Sequence, residues 1–226
     1  MSLIPTSCVD DFYNDPHKVR NFALSLDYSN ETGIYPGVRS KPLNEIDYYF
    51  FDNFCKKIFS LFYNFQYEPV KWKVDAFFHK IYPYEDQDLN VGDIHQDNTG
   101  EGVISGLIYL NPDPLLDSGT SFYRLKKNQT LTAVDLENKT ILKKKFFKEN
   151  ENSIGFKKHF QKHNSKFEKI LEVKNVYNRM IAYPSNIWHG QTDYRMYNEP
   201  RLTQVFFVKE LEFCTTPILR SKSYEL

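Results

Sequence analysis

Residues 93–111 read DIHQDNTGEGVISGLIYLN, and the fold can be worked outward from them. His95 and Asp97 stand two apart, so on an extended segment both side chains project to the same side. Turn residues flank the pair, and an apolar run, VISGLIYL, follows at 103–110. Two polar side chains ahead of a buried strand either face solvent together or converge on something. One imidazole and one carboxylate from a single strand end are two members of a metal ligand set.

The surrounding chain divides into a helical and a strand-rich part. DPHKVRNFALSL, residues 15–26, predicts an amphipathic helix capped by Asp15, with Pro16 first and Val19, Phe22, Ala23 and Leu26 on its apolar side. A second helix is expected over 45–65, with Ile46, Tyr49, Phe50, Phe54, Ile58, Leu61, Phe62 and Phe65 facing a sheet. Beyond Val70, strands are expected at 70–82, 103–110, 120–124, 131–136, 140–147, 176–183 and 201–208. Glu137, Asn138 and Lys139 would close a hairpin between two of them. SIGFKKHFQKHNSKFEKILEV, 153–173, reads as a helix burying Phe156, Phe160, Phe167 and Leu171. Helices followed by many antiparallel strands predict a mainly β fold, a sandwich or jelly roll buttressed by N-terminal helices.

Composition narrows the function classes. The 226 residues suit one large domain or two small ones and carry a formal net charge of zero, so no global field argues for nucleic acid or an acidic membrane as partner. Charge is nevertheless uneven: eleven lysines face four glutamates between Lys139 and Lys174, a hint of an anionic substrate or partner. Three scattered cysteines make neither a disulfide framework nor a zinc knuckle. With no visible signal peptide and no apolar run long enough for a membrane span, the expected location is the cytoplasm.

Of six histidines, His17, His159 and His163 read as solvated, and His79 as a packed or hydrogen-bonded strand residue. His189, in YPSNIWHG, follows a Pro-containing turn. Two imidazoles and one carboxylate are the ligand set of non-haem Fe(II), which leaves open positions for a cosubstrate and O2. The pattern alone is weak, because an HxD and a distant His occur in many chains of this size. Arg201 enters the apolar strand RLTQVFFV with Thr203 on the same face. A guanidinium there needs an anion: a bound carboxylate, or a salt bridge to Glu199 or Glu210.

The order HQD, GLIYLNPD, SGTSFY, NRMIAYPSNIWHG, RLTQVFF resembles the Fe(II)- and 2-oxoglutarate-dependent dioxygenases, most of all their prolyl-hydroxylase-like branch. The resemblance covers about residues 77–208 and is interrupted over roughly 125–173. It implies a double-stranded β-helix, a jelly roll of the cupin kind, in one domain: helical support over 1–68, a core over 69–215 and a basic insert at about 125–173. It also implies that His95, Asp97 and His189 hold Fe(II), and that Arg201, with Thr203 beside it, holds the distal carboxylate of 2-oxoglutarate. Tyr109 would bond the same carboxylate, and Tyr82 would line the pocket. Trp188, Phe77 and Tyr123 are further wall candidates, and the insert a possible substrate lid or a solvated helix. The implied reaction is hydroxylation of a C–H bond in a small molecule or peptidyl residue, with release of succinate and CO2. Asp97 stands where halogenating relatives carry a small residue, and Phe207 where nucleic-acid demethylases carry a second arginine. The gap of 92 residues from Asp97 to His189 is long for the branch. The alternatives are a non-catalytic jelly-roll binding module and a cupin-like metal protein of other chemistry. Neither gives 2-oxoglutarate a role.

Overall fold

The computed structural model describes residues 6–30, 33–97, 104–149, 153–195 and 199–212. Its strands are β1 (Ser7–Val9), β2 (Val38–Arg39), β3 (Lys71–Ile81), β4 (Ile104–Tyr109), β5 (Thr120–Leu125), β6 (Phe167–Val173), β7 (Met180–Pro184), β8 (Trp188–Gln191) and β9 (Arg201–Glu212). They form two antiparallel sheets, one in the order β1–β7–β4–β9–β3–β2 and a smaller one in the order β6–β5–β8. The expected mainly β class with N-terminal helices is therefore observed.

Asp15 starts helix α1 (Pro16–Leu24): its Oδ1 accepts from the Lys18 N–H at 2.9 Å, and Pro16 needs no partner at the first position. The single helix expected over 45–65 is instead two, α2 (Leu43–Ile46) and α3 (Tyr48–Ser60). Asp47 breaks the run, because it is extended and its Oδ1 caps α3 through the Phe50 N–H at 2.9 Å. This start turns Tyr49 to solvent, and Leu61 and Phe65 lie exposed past the helix end, so these three leave the expected apolar face. Phe50, Phe54, Ile58 and Phe62 remain on it.

The period of two along the strands sorts the large sheet into two faces. Val74, Ala76 and Phe78 of β3, Ile104 and Ile108 of β4, and Leu202, Phe206 and Val208 of β9 pack against α1 and α3 in the main core. Their alternates Leu107, Tyr109, Ile181, Tyr183 and Val205 face the other way and meet Phe122 of the small sheet. β4 and β7 are buried at every position because both faces are covered. Register places Tyr109 opposite Thr203 and Leu107 opposite Val205, so the inward residues of β4 and β9 form one ladder.

The insert is where expectation and structure part. The strands expected at 131–136 and 140–147, and the hairpin at 137–139, are one helix, α4 (Ala133–Glu149). Its start is a reciprocal cap: Asp135 N–H donates to Thr132 Oγ1 at 3.1 Å, and Thr132 N–H donates to Asp135 Oδ2 at 3.0 Å. The helix expected over 153–173 ends early, as α5 (Ser153–Asn164), and 167–173 is β6, paired with β5. Leu171 is accordingly exposed, whereas Phe156, Phe160 and Phe167 are buried as expected. Among the described residues no helix is long and apolar enough to cross a membrane. Val103 and the expected core end at 213–215 lie outside the described residues.

Candidate active site

Backbone pairing brings the two halves of the site together. His95 and His189 form an antiparallel bridge, each N–H donating to the other's carbonyl at 2.9 Å. Gly92 permits this approach of the HxD segment to β8: a Cβ there would lie 2.3 Å from the Gln191 nitrogen. The Asp97 N–H donates to the Ser185 carbonyl at 3.0 Å, which fixes the carboxylate end.

Both imidazoles are oriented by backbone carbonyls. His95 Nδ1 lies 2.8 Å from the Asp93 carbonyl and His189 Nδ1 lies 3.0 Å from the Ile187 carbonyl. A carbonyl only accepts, so each Nδ1 carries a proton and Nε2 is the ring nitrogen left to face outward. Those Nε2 atoms lie 3.4 and 3.3 Å from the two oxygens of Asp97. One ligand atom from each of the three residues lies within 4.8 Å of the others, the one such cluster among the described residues. Gln96, between His95 and Asp97, points aside and donates to the Asn186 carbonyl.

The electrostatics suit a cation. Burial would raise the Asp97 pKa, but His189, His95 and the Ser105 hydroxyl beside it hold it well below the usual carboxylate range. Burial pushes His189 down to about 4 against the opposing pull of Asp97, so its ring stays neutral at pH 7, the form that ligates. Asp97 Oδ2 has no hydrogen-bond partner, an orphaned acceptor in a buried site.

Arg201 is 2% exposed at the start of β9. Its Nε donates to the Ser118 carbonyl at 3.2 Å, and its guanidinium carbon lies 5.3 Å from the Tyr109 ring centre. Glu199 pairs with Arg20 at 2.5 Å and Glu210 with Lys73 at 3.0 Å, which removes the salt-bridge alternative. Arg201 Nη2 and the buried Thr203 Oγ1 are both left without partners. Burial lowers the Arg201 pKa, with Tyr109 and Tyr194 opposing, yet a guanidinium remains charged. Tyr109 is fully buried and shares a 2.8 Å hydrogen bond with Thr120 Oγ1.

One cavity of about 130 Å3 is walled by His95, Asp97, His189 and Arg201 together. Tyr82 does not belong to it. Ile81 takes the inward position at the end of β3, so alternation turns Tyr82 outward, where it is 57% exposed. Tyr84 takes that wall instead, edge-on to Tyr194 at 5.8 Å. Trp188 packs on Phe167 at 4.8 Å, and Phe77 joins the cluster between the sheets. His79 is buried with Nε2 2.7 Å from the Pro36 carbonyl, as its strand position predicts.

The insert covers the cavity: Lys143 and Phe147 of α4 and Phe156 and Phe160 of α5 are part of its wall. It also grips the HxD segment. Lys139 and Lys143 lie 2.9 and 3.2 Å from the two carboxylate oxygens of Asp93. Lys139 Nζ donates to the Ile94 carbonyl at 2.6 Å, and Asn164 Nδ2 donates to the Gly92 carbonyl at 3.1 Å. His163 is buried, not solvated, because its Nε2 lies 2.8 Å from that same Ile94 carbonyl. Burial would raise the Asp93 pKa, but Lys143 and Lys139 hold it well below the usual range. Much of the insert's basic surplus is spent internally, on Asp93, Asp86, Asp88, Asp135 and Glu172. Sequence reading missed Asp93, Lys143 and Arg39 of this wall, and Lys139 that pairs with Asp93. Asp93, two before His95, was the one legible signal.

Comparison with known proteins places this geometry in context. No curated protein matches the chain. Among solved structures it is similar to HygX from Streptomyces hygroscopicus with nickel and 2-oxoglutarate bound, at TM-score 0.54 and 11% identity over 91% of this chain and 83% of that one. The iron-bound HygX structure gives 0.50 and 13% over 91% and 82%. A Pseudomonas putida prolyl-4-hydroxylase gives 0.40 and 14% over 90% and 91%. At such identities the likeness to the two HygX structures establishes a shared fold and nothing finer. The sequence itself matches a family profile over residues 3–193, and the chain belongs to that family, described as a family of unknown function, DUF6445.

Proposed function

We propose that this protein is an Fe(II)- and 2-oxoglutarate-dependent dioxygenase that hydroxylates an unactivated C–H bond in a small molecule or a peptidyl residue. The observation that carries the proposal is the convergence of two Nε2 lone pairs and the Asp97 carboxylate within 4.8 Å, in the same cavity wall as a buried arginine with an unpaired Nη2. His95, Asp97 and His189 would hold the metal on one side and leave its other positions toward the cavity. The orphaned Arg201 Nη2 and Thr203 Oγ1 are donors suited to a carboxylate, and they fit the distal end of 2-oxoglutarate. Tyr109, engaged with Thr120, would contact that carboxylate from the ring side of Arg201.

Fe(II), with 2-oxoglutarate and O2, supplies the oxidising power, and succinate and CO2 are the coproducts. The protein's own residues orient and exclude. Asp93 and Ile187 carbonyls hold the Nδ1 protons so that each Nε2 is turned to the metal position, Arg201 would fix the cosubstrate, and the aromatic wall from α4 and α5 would limit water. The two sheets, in this reading, form the double-stranded β-helix of one domain, with α4 and α5 as its lid. The HygX structure with 2-oxoglutarate bound supports the same choice of cosubstrate. The test is succinate formation from 2-oxoglutarate, assayed with and without Fe(II) and O2. Release that needs both supports the proposal, and its absence across a panel of small molecules and peptides overturns it.

A further inference from the structure

On the β2–β3 side of the cavity stands a second arginine, Arg39, that the metal site does not use. Its guanidinium lies 3.8 Å from the Tyr35 ring centre, with Phe207 at 5.2 Å and Phe77 at 5.5 Å. Arg39 Nε is buried without a hydrogen-bond partner, and no carboxylate among the described residues pairs with the side chain. Backbone pairing of Arg39 with Ser29 and His79 holds its position in the wall. Aromatic faces stabilise a guanidinium but leave its N–H donors unsatisfied.

Charge in the cavity points the same way. Its wall contains Arg39, Lys143 and Arg201 as cations against Asp93 and Asp97 as anions. Lys143 and the buried Lys139 share Asp93. A divalent metal and a dianionic cosubstrate would cancel, as would Asp97 and Arg201. Of the cations in the wall, Arg39 is then the one with no anion assigned to it.

We infer that Arg39 anchors the primary substrate, and that the substrate is an organic carboxylate with an apolar body. The carboxylate would satisfy the unpartnered Nε–H of the guanidinium, and the apolar body would lie along Val205, Leu107 and Phe207 toward His95, Asp97 and His189. The identification of this ligand as the substrate rests on the dioxygenase reading; the anion site itself does not.

Calorimetric titration tests the site with phenylacetate as probe and phenylacetamide as its neutral counterpart. The protein is titrated twice, alone and loaded with Mn(II) and saturating 2-oxoglutarate, which occupies Arg201 and permits no turnover. Phenylacetate should bind in both states, and phenylacetamide about tenfold or more weakly, the weight of a charge-assisted bond. Arg39→Met should weaken phenylacetate by a similar factor, and Arg39→Lys, which keeps the charge, should recover part of the loss. Unchanged melting temperatures would show that both variants fold. Equal binding of the two probes to the unaltered protein overturns the inference, even without a variant. So does phenylacetate that binds only when 2-oxoglutarate is omitted, since it would then be sitting at Arg201. If phenylacetate binds through Arg39 while Mn(II) and 2-oxoglutarate fail to bind, the anion site stands and the dioxygenase reading falls.

Discussion

At the scale of single residues, the site separates two roles that ordinary mutagenesis can distinguish. Asp97 lies between two imidazoles and, in the proposed site, would be the anionic ligand, so Asp97→Ala should abolish Fe(II) binding, read by equilibrium dialysis. Arg201 lies in the same wall but makes no metal ligand. Arg201→Met should leave Fe(II) bound and weaken 2-oxoglutarate by about tenfold or more. Unchanged 2-oxoglutarate affinity would remove Arg201 from the clamp. These residues were legible in the sequence because their chemistry is costly: a buried arginine and a same-face HxD both demand an explanation. Arg39 was not legible, since an arginine in a Gly- and Pro-punctuated loop looks solvated until β2 pairs it against β3. Tyr82 and Tyr84 differ only in which way the chain turns after Ile81, and the motif KIYP does not encode that turn.

At the scale of elements, the insert is the part the sequence concealed. Its lysines and alternating Leu, Val and Ile suggested strands, but Thr132 and Asp135 form a capping box that starts a helix. The signal was present as Thr-x-x-Asp and weaker than the apparent alternation. Thr132→Ala should cost about 1 kcal/mol of stability in urea unfolding. A larger effect belongs to the grip of α4 on the HxD segment. Asp93→Ala would leave Lys139 buried without its anion, and should cost about 3–5 kcal/mol. His163 adds a pH dependence to the same contact. Burial and the neighbouring Lys139 push its pKa down to about 4, below the 6.5 of an exposed imidazole. A depressed histidine binds its proton in the unfolded chain first. The stability it contributes is therefore full above pH 6.5, falls as pH drops through that window and is lost below about 4. His163→Gln should flatten the dependence of urea midpoints over this range, and an unaltered slope would exclude His163 as its source.

At the scale of the molecule, the fold is two antiparallel sheets with a site between them and helices behind the larger one. The long strands β3, β4 and β9 were readable from their apolar runs, and within β9 Phe206 faces the helices and Val205 the site. Phe206 meets Phe54 edge-on at 5.5 Å, and Phe206→Ala should destabilise the whole by about 3–5 kcal/mol without altering any metal ligand. The assignment of the strands to two sheets was not readable, because it depends on which distant segments pair, as His95 does with His189 across the insert. That pairing is what brings His95 and Asp97 to His189, and the central claim, that the three hold Fe(II), rests on it. The most direct test is an anaerobic titration of the protein with Fe(II) followed by 2-oxoglutarate, watched in the visible spectrum. A weak charge-transfer band that grows with 2-oxoglutarate and saturates at one equivalent is the predicted result, lost in Asp97→Ala. Fe(II) that binds without any such band, or that does not bind at all, would contradict the account.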